Sequence, residues 1–463
     1  MALGIPLIVF KEKIMGKTII VAGAGHGGIA VAAQLAKAGF DVTVYDRGNK
    51  GEQGYDWEDA VDPKAFEKAG IPMPPEDKWG WRENITFYGP SNKEKSKVRQ
   101  TITPGWQDQE IRIERKELYK HIIGYAEECG VKFQYGETIK GPVMKGKRVV
   151  GIETDKGTHK GDLIIDACGL ESPVRAGLPD SLGIQKHPTF GEKFYIYRAY
   201  YDMPIDASTV EDKYIITLLP RGELGIDWVE TEDTYSDVLI GRFNPLTQED
   251  IDRVLEINQN MYPQLGKKFL RGGGATELPV RQPLSIIVAD GYAAIGDSAF
   301  MTIPVIGSGI GLCFKTSKFL SDTIINDKSG KYTAKTLWPY QVLYYKNYGA
   351  GLAPLAAFKR LLTAVNGEEL DYAFDKGIIT KHELNITSNH TSLWKFLEFD
   401  PKLPLRAVAL VLNPPLLKKG AIVVGQLAQV VIVSTLMPKK YNKLLVQKWA
   451  KAYDKIFVKP IVK

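Results

Sequence analysis

The sequence predicts an α/β chain, α+β overall. It combines a Rossmann-type nucleotide domain, an antiparallel-sheet domain and a C-terminal helical region. Three observations predict this. The apolar run Lys17-Thr18-Ile19-Ile20-Val21-Ala22 leads into Gly23-Ala24-Gly25-His26-Gly27-Gly28, which opens a helix-forming segment through Ala38. Residues 189–245 hold several strand-like runs with few helical signals between them. Residues 335–463 are apolar-rich and patterned as helices.

Composition sets the outer bounds. At 463 residues the chain exceeds a usual single domain, so more than one subdomain is expected. Its 44% hydrophobic and 25% charged residues describe a globular chain able to bury a large core. The net charge of +6 is mild, and Lys and Arg are spread widely, which leaves no nucleic-acid footprint. Cys129, Cys168 and Cys313 form no CxxC pair. That argues against a disulfide framework, a zinc site or a cysteine-ligated iron–sulfur cluster, so no metal is expected. A reducing cytoplasm fits this usage. The apolar start Met1–Phe10 lacks a basic n-region and a cleavage site, so it does not read as a signal peptide. Met15 is read as the natural start, or residues 1–14 as a dispensable extension.

Each element follows from local chemistry. Gly23 permits the tight turn after the first strand, Gly25 lets the backbone approach a pyrophosphate, and Gly28 lets helix and strand pack closely. His26 and Gly27 sit at the helix start, where free N–H groups and the positive dipole end favour phosphate. The second strand, Asp41–Tyr45, ends in Asp46, placed to accept from an adenosine ribose hydroxyl, with Arg47 beside it. Residues of about 50–110 form an insertion rich in turns and aromatics, among them Trp79, Trp81 and Trp106. It covers a pocket or folds on its own small core. The run Arg112–Gly130 reads as a helix with a glycine cap, Val131–Tyr135 as a strand, and 148–160 as a hairpin. Asp162–Asp166 is a buried-type strand that stops at Ala167-Cys168-Gly169. Gly272-Gly273-Gly274 reads as a turn. The chain returns with the strand Gly291–Ile295, then Gly296-Asp297, Pro304 and the loop Gly307-Ser308-Gly309-Ile310, and a helix over Leu312–Ile325. The boundaries are 15–188 and 276–330 for the nucleotide domain, 189–275 for the sheet domain and 331–463 for the helical region.

The Gly23 fingerprint, Asp166–Gly169 with Ser172 and Arg175, and Gly296-Asp297 with Gly307–Gly311 together resemble the geranylgeranyl reductase-like branch of FAD-dependent oxidoreductases, related to the para-hydroxybenzoate hydroxylase fold. The resemblance covers roughly 17–375 and includes Gly367-Glu-Glu-Leu-Asp-Tyr-Ala-Phe374. It implies that Gly23, Gly25 and Gly28 hold the FAD pyrophosphate and Asp46 the adenosine ribose. It assigns Arg115, Asp166 and Gly169 to the cofactor, Asp297 to the ribityl chain, and Gly307, Gly309 and Ile310 to the isoalloxazine edge. A helix N-terminus at that edge stabilises negative charge on a reduced ring. Electrons come from NAD(P)H bound transiently or from a reduced protein carrier, since no second glycine fingerprint follows another strand.

The implied reaction is hydride transfer to a carbon–carbon double bond of an apolar, isoprenoid or lipid-like substrate. Tyr197, Tyr214 and Trp228 are candidates to line its pocket. The chain departs from the archaeal lipid reductases in having no cysteine in Gly48–Trp57. No catalytic proton donor is identified; His26 and His187 are candidates, and structural histidines are the plainer reading. The alternative is a single-component monooxygenase of an aromatic substrate; the fold does not choose between them. A halogenase is disfavoured because Trp79-Gly-Trp81-Arg-Glu lacks that branch's Ile-Pro ending. A flavin-supported cyclase is a third class. Ala421–Met437 is uncharged and flanked by Lys418-Lys419 and Lys439-Lys440. It reads as core, as a channel wall, or as an interfacial helix giving peripheral membrane contact over about 415–440.

Overall fold

The computed structural model describes residues 16–82, 84–91, 100–102, 109–189, 191–388 and 403–458. The expectations placed on residues 1–15 and on Trp106 lie outside the described residues.

The chain opens with strand β1 (Thr18–Ala22), helix α1 (His26–Lys37) and strand β2 (Asp41–Tyr45). Strands β3 (Ile85–Tyr88) and β4 (Gln100–Ile102) come from the insertion. Helix α2 (Arg115–Glu128), strand β5 (Lys132–Gln134) and strand β6 (Leu163–Asp166) follow. The second sheet takes β7 (Lys193–Asp202), β8 (Tyr214–Leu218), β9 (Gly225–Thr231) and β10 (Tyr235–Arg242). After helix α3 (Gln248–Met261) come β11 (Phe269–Pro279), β12 (Val288–Ala289) and β13 (Tyr292–Ala294).

One sheet has the order β12-β13-β6-β1-β2-β5, parallel except for β12. Its central strands β1 and β6 are apolar on both faces because helices cover one side and the small antiparallel sheet of residues 139–160 packs on the other. The other sheet has the order β11-β7-β10-β9-β8-β3-β4. It is antiparallel except that β8 and β3 run parallel, with Tyr214 opposite Ile85. The strands of residues 189–275 pair antiparallel as expected, and the sheet becomes mixed only because the insertion supplies two further strands. No local pattern encodes a pairing across so long a separation.

The triple glycine is not a free turn. It lies inside edge strand β11, where Arg198 pairs with Gly274 and Ala199 with Gly272. Gly273 is the extra residue of a β-bulge, and Gly272 and Gly273 take φ of +82° and +75°.

The return segment leads into helix α4 (Ile310–Ile325). The rest of the described chain is helical: α5 (Ala334–Tyr344), α6 (Ala350–Leu362), α7 (Gly367–Asp375), α8 (Lys381–Ser388), α9 (Leu403–Val411), α10 (Pro414–Thr435) and α11 (Lys443–Val458). The largest core cluster joins the parallel sheet to α1, α4 and α5. One face of the second sheet packs on α3 through Tyr197, Val238 and Ile240 against Ile251 and Val254. Its other face, with Tyr214 and Ile216, meets Leu370 and Phe374 of α7 and Leu384 of α8.

Candidate active site

One continuous cavity of about 1020 Å³ runs from the glycine turn to the inner face of the second sheet. At the first end, β1, β6 and β13 deliver their C-terminal ends side by side. Ala167 N–H donates to Ala22 O at 2.8 Å, and Ile295 N–H to Asp166 O at 3.0 Å. Three segments far apart in sequence are knitted there into one rim.

The glycines are needed first for that rim. A Cβ on Gly23 or Gly25 would sit 2.6 or 2.8 Å from the Ala167 carbonyl oxygen, and one on Gly28 would sit 2.6 Å from Ala167 Cβ. Gly23, Gly25, His26 and Gly27 line the cavity, whereas Gly28 closes α1 onto the sheet behind it. Gly25 caps α1 without a side-chain bond, so the first-turn N–H groups of α1 are available to an anion. Asp46 and Arg47 line the same end. The Asp46 carboxylate accepts from Ala24 N–H and from Gly48 N–H, both at 2.9 Å. Two of its roughly four acceptor positions are used, which leaves room for a ribose hydroxyl.

Arg115 also lines the cavity. It forms a two-pronged ion pair with Asp59, and its guanidinium lies 5.2 and 5.1 Å from the Tyr55 and Trp57 ring centres. The insertion thus holds this arginine in place.

The middle of the cavity is lined by Gly169, Gly296, Asp297, Gly307, Gly309 and Ile310. Gly169 N–H donates to Ser298 Oγ at 2.9 Å, which ties the turn after β6 to the turn after β13. Burial pushes the Asp297 carboxyl up to about 6, with Arg115 and Arg175 pulling against it. Gly309 caps α4 with no side-chain bond, so a second open helix N-terminus faces the cavity.

Two expected cofactor residues lie elsewhere. Asp166 is fully buried behind the wall. Its carboxylate accepts from Ser172 Oγ at 2.6 Å, Tyr292 Oη at 2.9 Å and Cys168 N–H at 3.1 Å. It organises the turn that presents Gly169. Pro304 is buried, and its neighbours Val305 and Ile306 line the cavity instead. Arg175 is also fully buried and donates to Ser298 O at 2.6 Å, bracing the Asp297 turn from behind.

The lining fits FAD. Two uncapped helix N-termini, an Asp46 carboxylate with spare acceptor capacity, and the buried Asp297 carboxylate are the donor and acceptor set that its phosphates and hydroxyls require.

The far end is formed by the second sheet and the C-terminal helices. Side chains of a strand alternate between faces. On β7, Phe194, Ile196 and Arg198 face the cavity, while Tyr197 packs on α3 and is not a lining residue. Tyr214 and Trp228 do line it, in edge-to-face contact at 5.1 Å. Arg82 donates to Tyr214 Oη at 2.6 Å and pairs with Glu110; Arg198 lies 4.7 Å from the Trp228 ring centre and pairs with Asp237. Both arginines are thus neutralised. Phe358, Leu362 and Leu370 complete the apolar wall from α6 and α7. The sequence offered no sign of this wall, because apolar residues at helical spacing look the same in any core.

Lys359 is the other lining residue without a sequence signal. It is 8% exposed, donates to Gly191 O at 2.8 Å and lies 5.1 Å from the Phe243 ring centre. Burial lowers its pKa to about 8; Arg360 and Arg281 lower it further and Glu192 opposes.

Neither expected histidine suits proton delivery. Burial, helped by Arg115, holds the His26 pKa near 3, so its ring is neutral at physiological pH. The His26 ring stacks 4.3 Å from Tyr119. His187 is exposed and pairs with Glu171 at 3.3 Å. The Cys168 thiol donates to Ala22 O, and burial pushes its pKa well up, so it is a packed and unreactive group.

Comparison with known proteins agrees with this anatomy. Residues 21–59 match the NAD(P)-binding Rossmann-like domain family. The chain is 24% identical over 382 residues to the digeranylgeranylglycerophospholipid reductase of Sulfolobus acidocaldarius, covering 79% of this chain and 82% of that protein. In structure it is similar to a geranylgeranyl bacteriochlorophyll reductase-like protein of Thermoplasma acidophilum, with a TM-score of 0.69, 18% identity, and coverage of 85% of this chain and 98% of the other. It is also similar to PqsL, a probable FAD-dependent monooxygenase of Pseudomonas aeruginosa, with a TM-score of 0.57, 14% identity, and coverage of 77% and 99%. The chain is an FAD-dependent oxidoreductase that resembles the geranylgeranyl reductase-like flavoproteins in sequence and fold.

Proposed function

We propose that the enzyme reduces a carbon–carbon double bond in an apolar, isoprenoid-like chain. The observation that carries this reading is the wall of the far end. Ile196, Ile216, Leu239, Leu362 and Leu370 present an apolar surface that continues, through Leu278 and Ile306, to the flavin loop at Gly307. Leu278 packs so closely there that a Cβ on Gly307 would lie 2.5 Å from it. FAD, when bound, supplies the hydride. The residues of the chain supply the rest. The wall binds and orients a hydrocarbon, at about 0.8 kcal/mol for each buried methylene. It also keeps water from the reacting carbons. The electron donor is NAD(P)H bound transiently or a reduced protein carrier.

Lys359 is the observation that favours the second reading, a single-component aromatic monooxygenase, because an ammonium in the wall would hold a phenolate. One experiment separates the readings. The purified FAD-loaded protein is reduced under anaerobic conditions and given a polyprenyl lipid, and the product is weighed. A gain of two hydrogens for each double bond supports the reductase. An unchanged lipid, together with oxygen uptake stimulated by a phenol in a parallel aerobic assay with NAD(P)H, replaces it with the monooxygenase. A product of altered structure and unchanged mass marks a cyclase and refutes both.

A further inference from the structure

Among the described residues, the C-terminal helices leave an apolar face uncovered. Helix α10 is long and apolar enough to cross a membrane, yet only 22% of its most apolar window is buried in the fold. One stripe packs on the body of the protein. It includes the polar Gln426, which accepts from Arg360 at 3.2 Å, and Ser434. The opposite stripe carries Val424, Ile432 and Leu436, which are 65%, 58% and 68% exposed. The flanking helices add Leu405 and Val408 on α9, and Leu444 on α11, each more than half exposed. Monomeric proteins rarely leave such a surface open without a partner for it.

Charge says what the partner is. Residues 403–458 hold nine Lys and Arg against one acid, Asp454, a net +8 where the whole chain is +6. Lys418 stands beside the start of the apolar stripe, and Lys439, Lys440 and Lys443 follow its end, all exposed. An apolar face rimmed by lysines complements the surface of an anionic lipid bilayer. A second copy of this chain fits poorly. A twofold contact would set the same patch against itself and bring the two +8 segments together. A spanning arrangement also fits poorly, because the Gln426–Arg360 contact ties one side of α10 to the protein.

We infer that α9, α10 and α11 dock the protein in the plane of an anionic membrane, with Val424, Ile432 and Leu436 immersed and the lysines at the headgroups. The same helices reach the cavity wall from behind. Leu410 and Leu416 belong to the cluster that holds Tyr214, Ile216 and Leu370. A hydrocarbon substrate would thus pass from bilayer to cavity without crossing water. That passage rests on the proposed reductase reading; the docking does not.

The test is flotation of the full-length FAD-loaded protein with vesicles. Phosphatidylglycerol–phosphatidylcholine vesicles are compared with phosphatidylcholine alone, at low and high salt. The expected result is binding to the anionic vesicles that weakens with salt. Lys439→Gln/Lys440→Gln should lower the partition about 25-fold, about fivefold for each lysine. Val424→Asp/Ile432→Asp should abolish it with the melting temperature and flavin absorbance unchanged, since both side chains are already exposed. Equal partition into both vesicle types, or none, overturns the inference. So does a concentration-dependent dimer that Val424→Asp/Ile432→Asp converts to monomer. No outcome depends on turnover, so failure here leaves the reductase reading standing.

Discussion

Replacing Lys359 with Met should make the protein more stable at neutral pH. The ammonium sits in the cavity wall with a pKa of about 8 against an ordinary 10.5. At 1.36 kcal/mol for each tenfold change in proton affinity, keeping it charged in the fold costs about 3 kcal/mol. Met has similar length and no charge to desolvate. It forgoes the 2.8 Å bond to Gly191 O, worth about 1 kcal/mol. The net gain at pH 7 is about 2 kcal/mol. The sign depends on pH. Below about pH 8 the folded lysine is charged and the cost is fully present. Between there and 10.5 the folded lysine is neutral while the unfolded chain still binds the proton, so the wild type gains stability as pH rises. Above 10.5 the cost is gone and Met should be the less stable variant. Urea unfolding of both proteins across this range measures the difference directly, and other titrating groups cancel in it. A difference that does not change with pH, or a Met variant that is weaker at pH 7, refutes the reasoning. A cost of this size in a pocket wall marks a residue kept for function rather than stability.

Three further predictions concern the rest of the site. Gly28→Ala places a Cβ 2.6 Å from Ala167 Cβ and 2.9 Å from Val21 Cγ1, so the clash should outweigh the helix-propensity gain and cost about 1–3 kcal/mol. Thermal unfolding and FAD retention check it, and an unchanged melting temperature counts against the close packing. His26 stays neutral in the fold down to about pH 3, so the unfolded chain alone takes up its proton as pH falls below 6.5. Wild-type stability should therefore fall by about 4 kcal/mol more than that of His26→Leu between pH 7 and pH 3, and parallel curves would sink the idea. Ile196→Trp should obstruct the cavity and reduce turnover at least about tenfold, while the adjacent Tyr197→Phe should leave it unchanged. Equal effects on steady-state kinetics would remove the assigned strand parity.

Local signals were enough where the chemistry is local. The turn Gly23–Gly28, the open helix start behind it and Asp46 at the end of β2 follow from neighbours in the chain. They need only a strand, a glycine turn and a helix in sequence order. Gly296-Asp297 and Gly307–Gly309 were picked out by the family resemblance, not by local signals alone. Inward and outward positions on β7 were not legible. The run Phe194–Tyr201 is apolar or aromatic at most positions, because α3 covers one face and the cavity wall the other. A strand buried on both sides shows no alternation, so Tyr197 and Ile196 look equivalent until the sheet is folded.

What the sequence by itself determined is the nucleotide-type end: the glycine turn, the open helix start behind it and Asp46 at the end of β2. Only the tertiary structure decided the rest. It moved Asp166 behind the wall, replaced Pro304 with Val305 and Ile306, gave two insertion strands to the second sheet, and brought Lys359 and the apolar residues of α6 and α7 over the far end. The physical reason is range. A phosphate cradle is made by consecutive backbone groups, whereas a hydrocarbon pocket is made by side chains that meet only when distant segments pack.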